Sequence, residues 1–168
     1  REKEFQIAEQ TETRIVFSLQ SDAESEKVYP FQFELQIEYL LMNNKIEVHY
    51  KVMNSSKDKM FFSIGGHPGF ALFNDFDKYS LLFETNSELK FSLLENHLLA
   101  DETQVLETTN NQLSLKYQLF EKDALVFNNH KIQSVTIQEN HVDYVKVSFE
   151  NFPDLGIWTK VNAPFICI

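Results

Sequence analysis

An all-β fold of antiparallel strands is what this sequence predicts, and three features carry the prediction. Apolar and polar residues alternate with a period of two through several runs, the pattern of strands with one buried and one wet face. Sixteen Phe in 168 residues, within 43% hydrophobic and 14% aromatic content, supply side chains that suit a pleated, half-buried surface and exclude a disordered chain. Only Tyr117–Lys122 reads as a short helical piece. The length fits one domain with a sizeable core, so residues 1–168 are read as a single domain.

Taken in order, the chain opens on Arg1-Glu2-Lys3-Glu4-Phe5 without an initiating Met, as an internal start would. Ile15, Phe17 and Leu19 alternate through a first strand, and Ser21–Lys27 reads as a polar, acidic connector. Phe31, Phe33, Leu35, Ile37 and Tyr39 then alternate with Gln32, Glu34, Gln36 and Glu38. After Asn43-Asn44-Lys45, Ile46, Val48, Tyr50 and Val52 alternate with Glu47, His49 and Lys51, so the two runs predict a hairpin with His49 on its polar face. A polar link, Asn54–Lys59, leads into an expected central strand, Met60–Ile64. Further strands are expected over Tyr79–Glu84, Leu89–Leu93, Gln104–Thr108 and Gln112–Leu115. Ile132–Glu139 and Tyr144–Phe149 alternate again, and the last strands surround Trp158 and Phe165–Ile168. His97, His130 and His141 fall in polar turns.

The most distinctive stretch is Phe61-Phe62-Ser63-Ile64-Gly65-Gly66-His67-Pro68-Gly69-Phe70, which holds three of the four glycines. Glycine permits positive φ and close backbone approach, so a shaped turn is expected here. Pro68 fixes its own φ and drives His67 towards an extended conformation. An imidazole held on such a turn either packs as a structural group or serves as a general acid or base. Asp123 leads directly into the apolar run Ala124-Leu125-Val126-Phe127. There it either caps local structure or points into a cleft to accept hydrogen bonds from a hydroxyl-rich ligand. Trp158, beside Lys160, suits either a core or the apolar face of a sugar ring.

Composition narrows the partners. A net charge of −10 opposes nucleic acid and anionic membrane surfaces and favours a neutral ligand. The single Cys167 cannot close an intramolecular disulfide, no Cys/His spacing suits zinc, and a reducing, cytoplasmic setting fits. Asn74-Asp75-Phe76-Asp77 lacks the spaced ligands, glycine and closing glutamate of a calcium loop. No apolar run approaches the ~18 residues that would span a bilayer.

Phe62–Phe70, together with Leu155-Gly156-Ile157-Trp158-Thr159-Lys160 and Ala163-Pro164-Phe165-Ile166-Cys167-Ile168, resembles the aldose 1-epimerase (galactose mutarotase-like) superfamily, in its shorter bacterial branch. The resemblance covers nearly the whole chain and implies an antiparallel β-supersandwich, incomplete at both ends, whose concave face holds a monosaccharide. It implies an isomerase that needs no metal or nucleotide and interconverts the α and β anomers of an aldose. A glutamate takes the proton of the anomeric hydroxyl while a histidine gives one to the ring oxygen. By this resemblance His67 is the proton donor, Asp123 binds sugar hydroxyls, and Trp158, Phe70 and Arg1 belong to the substrate site.

Two features of the family stand outside the sequence: a His-Gly-Phe-Ala segment before an arginine like Arg1, and a glutamate directly after a segment like Phe165–Ile168. The chain therefore reads as a fragment, and as such is expected to be inactive. The alternative function is a non-catalytic carbohydrate-binding or sensing module using the same cleft. Which sugar is bound, and whether the protein is a monomer or a homodimer, is left open by the sequence.

Overall fold

The computed structural model describes residues 3–95 and 98–168, so Arg1 and His97 lie outside the described residues. The chain divides into two compact units, Arg1–Ile64 and Gly65–Ile168. Every ladder among the described residues is antiparallel, as the period-two alternation requires. None of the described helices is long and apolar enough to cross a membrane.

The first unit is a four-stranded meander of β1 (Gln6–Gln10), β2 (Arg14–Gln20), β3 (Phe33–Met42) and β4 (Lys45–Asn54), in that order across the sheet. The expected hairpin is β3 and β4, ten residues each, registered from Phe33↔Asn54 to Met42↔Lys45. Its two-residue loop places Asn43 at φ 55°, a left-handed conformation that Asn tolerates. Register puts Ile15, Tyr39 and Val48 in one row and Phe17, Ile37 and Tyr50 in the next. One face is thus apolar, while Arg14, which pairs with Glu9 and Glu38, and Ser18, which donates to Glu34, share the other.

Two local expectations change here. Ser21–Lys27 holds a helical turn, α1 (Ala23–Glu26), closed by a capping box: Asp22 accepts from the Ser25 N–H and Ser25 Oγ from the Asp22 N–H. Met60–Ile64 is not a strand, although its residues favour one. Among the described residues it joins no ladder, and Phe61 and Phe62 are exposed. β-propensity describes fit to a sheet surface and cannot replace a hydrogen-bonding neighbour.

The second unit holds the core. β5 (Gly69–Ala71), β6 (Tyr79–Glu84), β7 (Lys90–Glu95), β8 (Leu98–Val105), β9 (Gln112–Ser114), β10 (Leu125–Phe127), β11 (Ser134–Glu139), β12 (Val142–Ser148), β13 (Leu155–Ile157) and β14 (Phe165–Cys167) make three sheets. Their orders are β13-β10-β7-β8, β12-β11-β6-β9 and β14-β5. Leu81, Phe83, Phe127, Val135, Ile137, Ile157 and Ile166 fill one apolar interior, with Phe127 placed 5.9 Å from Phe83 and 6.2 Å from Phe91 between ring centres. The expected helical piece is a 3₁₀ turn, Tyr117–Phe120, and another covers Phe76–Lys78 within the expected calcium-free loop. The expected strand at Gln104–Thr108 shifts back to β8.

Candidate active site

The glycine-histidine turn is built without left-handed glycine: no described glycine has positive φ. Positive φ falls on Asp123, at 83°, and mainly on asparagines, whose short amide side chains satisfy local backbone groups. A Cβ added to Gly65 would meet nothing within 4 Å, and at Gly69 it would stand 3.5 Å from Cys167 Sγ, an ordinary contact. What shapes the turn is Pro68 and the ladder that follows it.

That ladder pairs Gly69 with Cys167, Phe70 with Ile166 and Ala71 with Phe165. Trp158 bridges Cys167 from the other side, its N–H donating to the Cys167 carbonyl at 3.1 Å while the Cys167 N–H donates back at 2.8 Å. Beyond Trp158, β13 pairs with β10 in the register Leu125↔Ile157. Backbone topology therefore sets the approaches to His67, Asp123 and Trp158 at neighbouring ends of adjacent strands within one unit. At the end of β14 the Ile168 N–H donates to the Pro68 carbonyl at 3.3 Å, next to His67.

His67 is exposed, and its imidazole makes no hydrogen bond or ion pair with any described residue. Opposed residues share a sheet face, so Gly69, Cys167 and Trp158 lie on one side and Phe70 and Ile166 on the other. Phe70 accordingly packs, half-buried, against the core. Trp158 is half-buried with its ring 5.8 Å from Phe165. Asp123 is exposed, and its carboxylate accepts from the Ala124 N–H at 2.8 Å, the local capping contact expected of an acid at a turn.

Two residues that the sequence reading passed over support this region. Thr159 is 1% exposed and donates from Oγ1 to the Phe165 carbonyl at 2.6 Å, tying the Trp158 strand to the start of β14. Its place directly after the tryptophan was the available signal. Cys167 lies on the Trp158 face, and burial pushes its thiol up. No group of three or more His, Cys, Asp or Glu that could hold a metal occurs among the described residues.

A family model described as aldose 1-epimerase matches residues 1–167. The proteins LacX, plasmid, and LacX, chromosomal, of Lactococcus lactis subsp. lactis are each 33% identical over this whole chain, which spans 60% of their length. A galactose mutarotase related enzyme from Lactobacillus acidophilus superposes with a TM-score of 0.86 at 27% identity, covering 98% of this chain and 58% of that one. A galactose mutarotase-like protein from Lactobacillus casei ATCC 334 gives 0.87 at 26%, covering 97% and 59%. With its antiparallel sheets, its Gly-Gly-His-Pro turn beside β14 and a family match running nearly end to end, the chain belongs to the aldose 1-epimerase family.

Proposed function

We propose that the whole protein interconverts the α and β anomers of an aldose by acid/base ring opening. His67 donates a proton to the ring oxygen, Asp123 accepts hydrogen bonds from sugar hydroxyls, and the Trp158 indole covers the apolar face of the ring. The glutamate expected directly after Ile168 takes the anomeric proton. When the ring opens, the carbonyl end rotates, and closure from either side yields either anomer. Phe70 and Arg1 complete the proposed substrate set, Phe70 through the packing behind the β5 ladder.

The observation that carries this reading is the backbone bond from Ile168 to Pro68. It supports a base that follows β14 directly and stands beside the uncommitted imidazole of His67. Acid and base need hydrogen-bond reach of their target atoms, and a base next to Ile168 beside the Pro68 carbonyl is consistent with that need. The reaction calls for no electron transfer or group carrier.

In the whole protein, His67→Asn is expected to lower anomer exchange by roughly 10²–10⁴-fold while weakening sugar affinity much less. NMR saturation transfer on α-glucose or α-galactose, with calorimetry alongside, makes the measurement. The 168-residue chain alone is expected to give no acceleration over buffer. Unchanged exchange in a folded His67→Asn protein would remove His67 from the mechanism and leave the sugar-binding module.

A further inference from the structure

His130 is one of the three histidines assigned to polar turns, yet it is half-buried and part of its ring is closed off from solvent. Its Nε2 is buried and has no hydrogen-bond partner among the described residues. Its Nδ1 accepts from the Ile132 N–H at 3.1 Å, which puts the ring proton on Nε2 and fixes one neutral tautomer. The ring meets Phe149 edge to face, with centres 5.3 Å apart and planes at 84°. Around it, the 128–133 loop is fastened to the 149–154 loop: the His130 N–H donates to the Pro153 carbonyl and the Asn129 N–H to Asp154 Oδ1, both at 3.0 Å.

These two loops join directly onto β10 and β13, which pair through Phe127↔Leu155 at this end and Leu125↔Ile157 at the other. The other end leads to Asp123 and Trp158. We infer that His130 is a pH-sensitive positioning residue, a neutral clamp that holds the far end of the β10–β13 ladder and lets go when it is protonated. A second ring proton would set an N–H on Nδ1 against the Ile132 N–H and place a charge against Phe149 on a ring whose buried Nε2 has no acceptor to share it. Burial pushes the imidazole down; of the charged groups the ring senses, Asp154 favours protonation and is outweighed, while Lys131 opposes it and acts with burial.

The clamp stands independently of the sugar reading; only its effect on ligand affinity, through Asp123 and Trp158, rests on the proposed function. Trp158 is the only tryptophan in the chain, so its emission reports on the opposite, Leu125↔Ile157 end of this ladder. The test is tryptophan emission, with hydrogen-exchange mass spectrometry of the 128–133 and 150–155 segments corrected for intrinsic rates, between pH 7.5 and 5. It is run without sugar in a His67→Asn background, so that titration of the His67 imidazole does not contribute. Protection in both loops should fall by about tenfold or more as pH drops below ~6.5, the unperturbed histidine value, with a matching change in emission. His130→Asn, whose amide oxygen can replace Nδ1 as acceptor without titrating, should keep both signals flat, and His130→Leu should give the low-pH loop exchange already at pH 7.5. Equal protection at both pH values, or the same pH dependence in His130→Asn, would overturn the clamp.

Discussion

The sheet of the first unit and the core of the second are made from similar strand sequences and end up in different environments. β3 alternates without a break through Phe33, Leu35, Ile37 and Tyr39, yet no residue on that face is fully buried, and Tyr39, Leu41, Ile46 and Val48 are exposed. The buried positions of this sheet, Val16 and Ser18, lie on the opposite face, among Arg14, Glu38 and Glu34. β11, Ser134–Glu139, alternates less plainly and buries four consecutive residues, because β12 and β6 flank it in the sheet and side chains cover both of its faces. Period-two alternation thus reports that a segment is a strand and which residues share a face. Whether that face is buried depends on a second layer, which the strand's own sequence does not encode.

The contrast is tested most strongly by matched truncations. Phe127→Ala, which removes a 1% exposed ring from between Phe83 and Phe91, should cost about 3–5 kcal/mol, whereas Leu41→Ala, at 47% exposure, should stay within about 0.5 kcal/mol. Urea unfolding of both variants decides it, and equal losses would mean that the apolar face of the first sheet is covered in solution. Thr159→Val should cost about 1–3 kcal/mol by removing the buried hydroxyl that donates to the Phe165 carbonyl, with Trp158 emission shifted in the folded state. The smallest effect is an acid limb belonging to the first unit. Lys3 and the Ser25 N–H hold the Asp22 carboxyl at about 2, below its usual 3.8. The unfolded chain binds the proton more tightly, so this contribution is complete above 3.8 and is lost as pH falls from there towards about 2. Asp22→Asn should flatten that part of the stability–pH curve, measured by thermal melts, and an unaltered limb would assign it to other carboxylates.

Much of this was legible in the residues, for reasons that can be named. The β3–β4 hairpin follows from two alternating runs around Asn43-Asn44, and the candidate site was read from Gly65-Gly66-His67-Pro68, Asp123 and Trp158. β1 was hidden because Gln6-Ile7-Ala8-Glu9-Gln10 offers only one large apolar side chain, and α1 because its signal lies in a capping pair rather than an apolar stripe. Met60–Ile64 misled for the opposite reason: five residues that suit a sheet have no neighbour among the described residues to complete one. His130 does lie in the polar turn after β10, but flanking Asn128, Asn129 and Lys131 give no sign of Phe149, distant in sequence, which meets the ring edge to face.

The lengths of the ladders also set an order in time. Ten pairs closed by a two-residue loop ask almost nothing of chain entropy, and isolated hairpins form in roughly 1–10 μs. The β5–β14 ladder has three pairs and joins the two ends of the second unit, so its loop must close around nearly everything the unit contains. The ground on which Pro68 meets Ile168 should therefore be laid last during refolding, and pulsed hydrogen exchange should find the Ile168 amide, which donates to the Pro68 carbonyl, gaining protection after those of Gln36 and Glu38 on the β4 side of β3. A newly made chain would then possess its hairpin well before it possesses its candidate site.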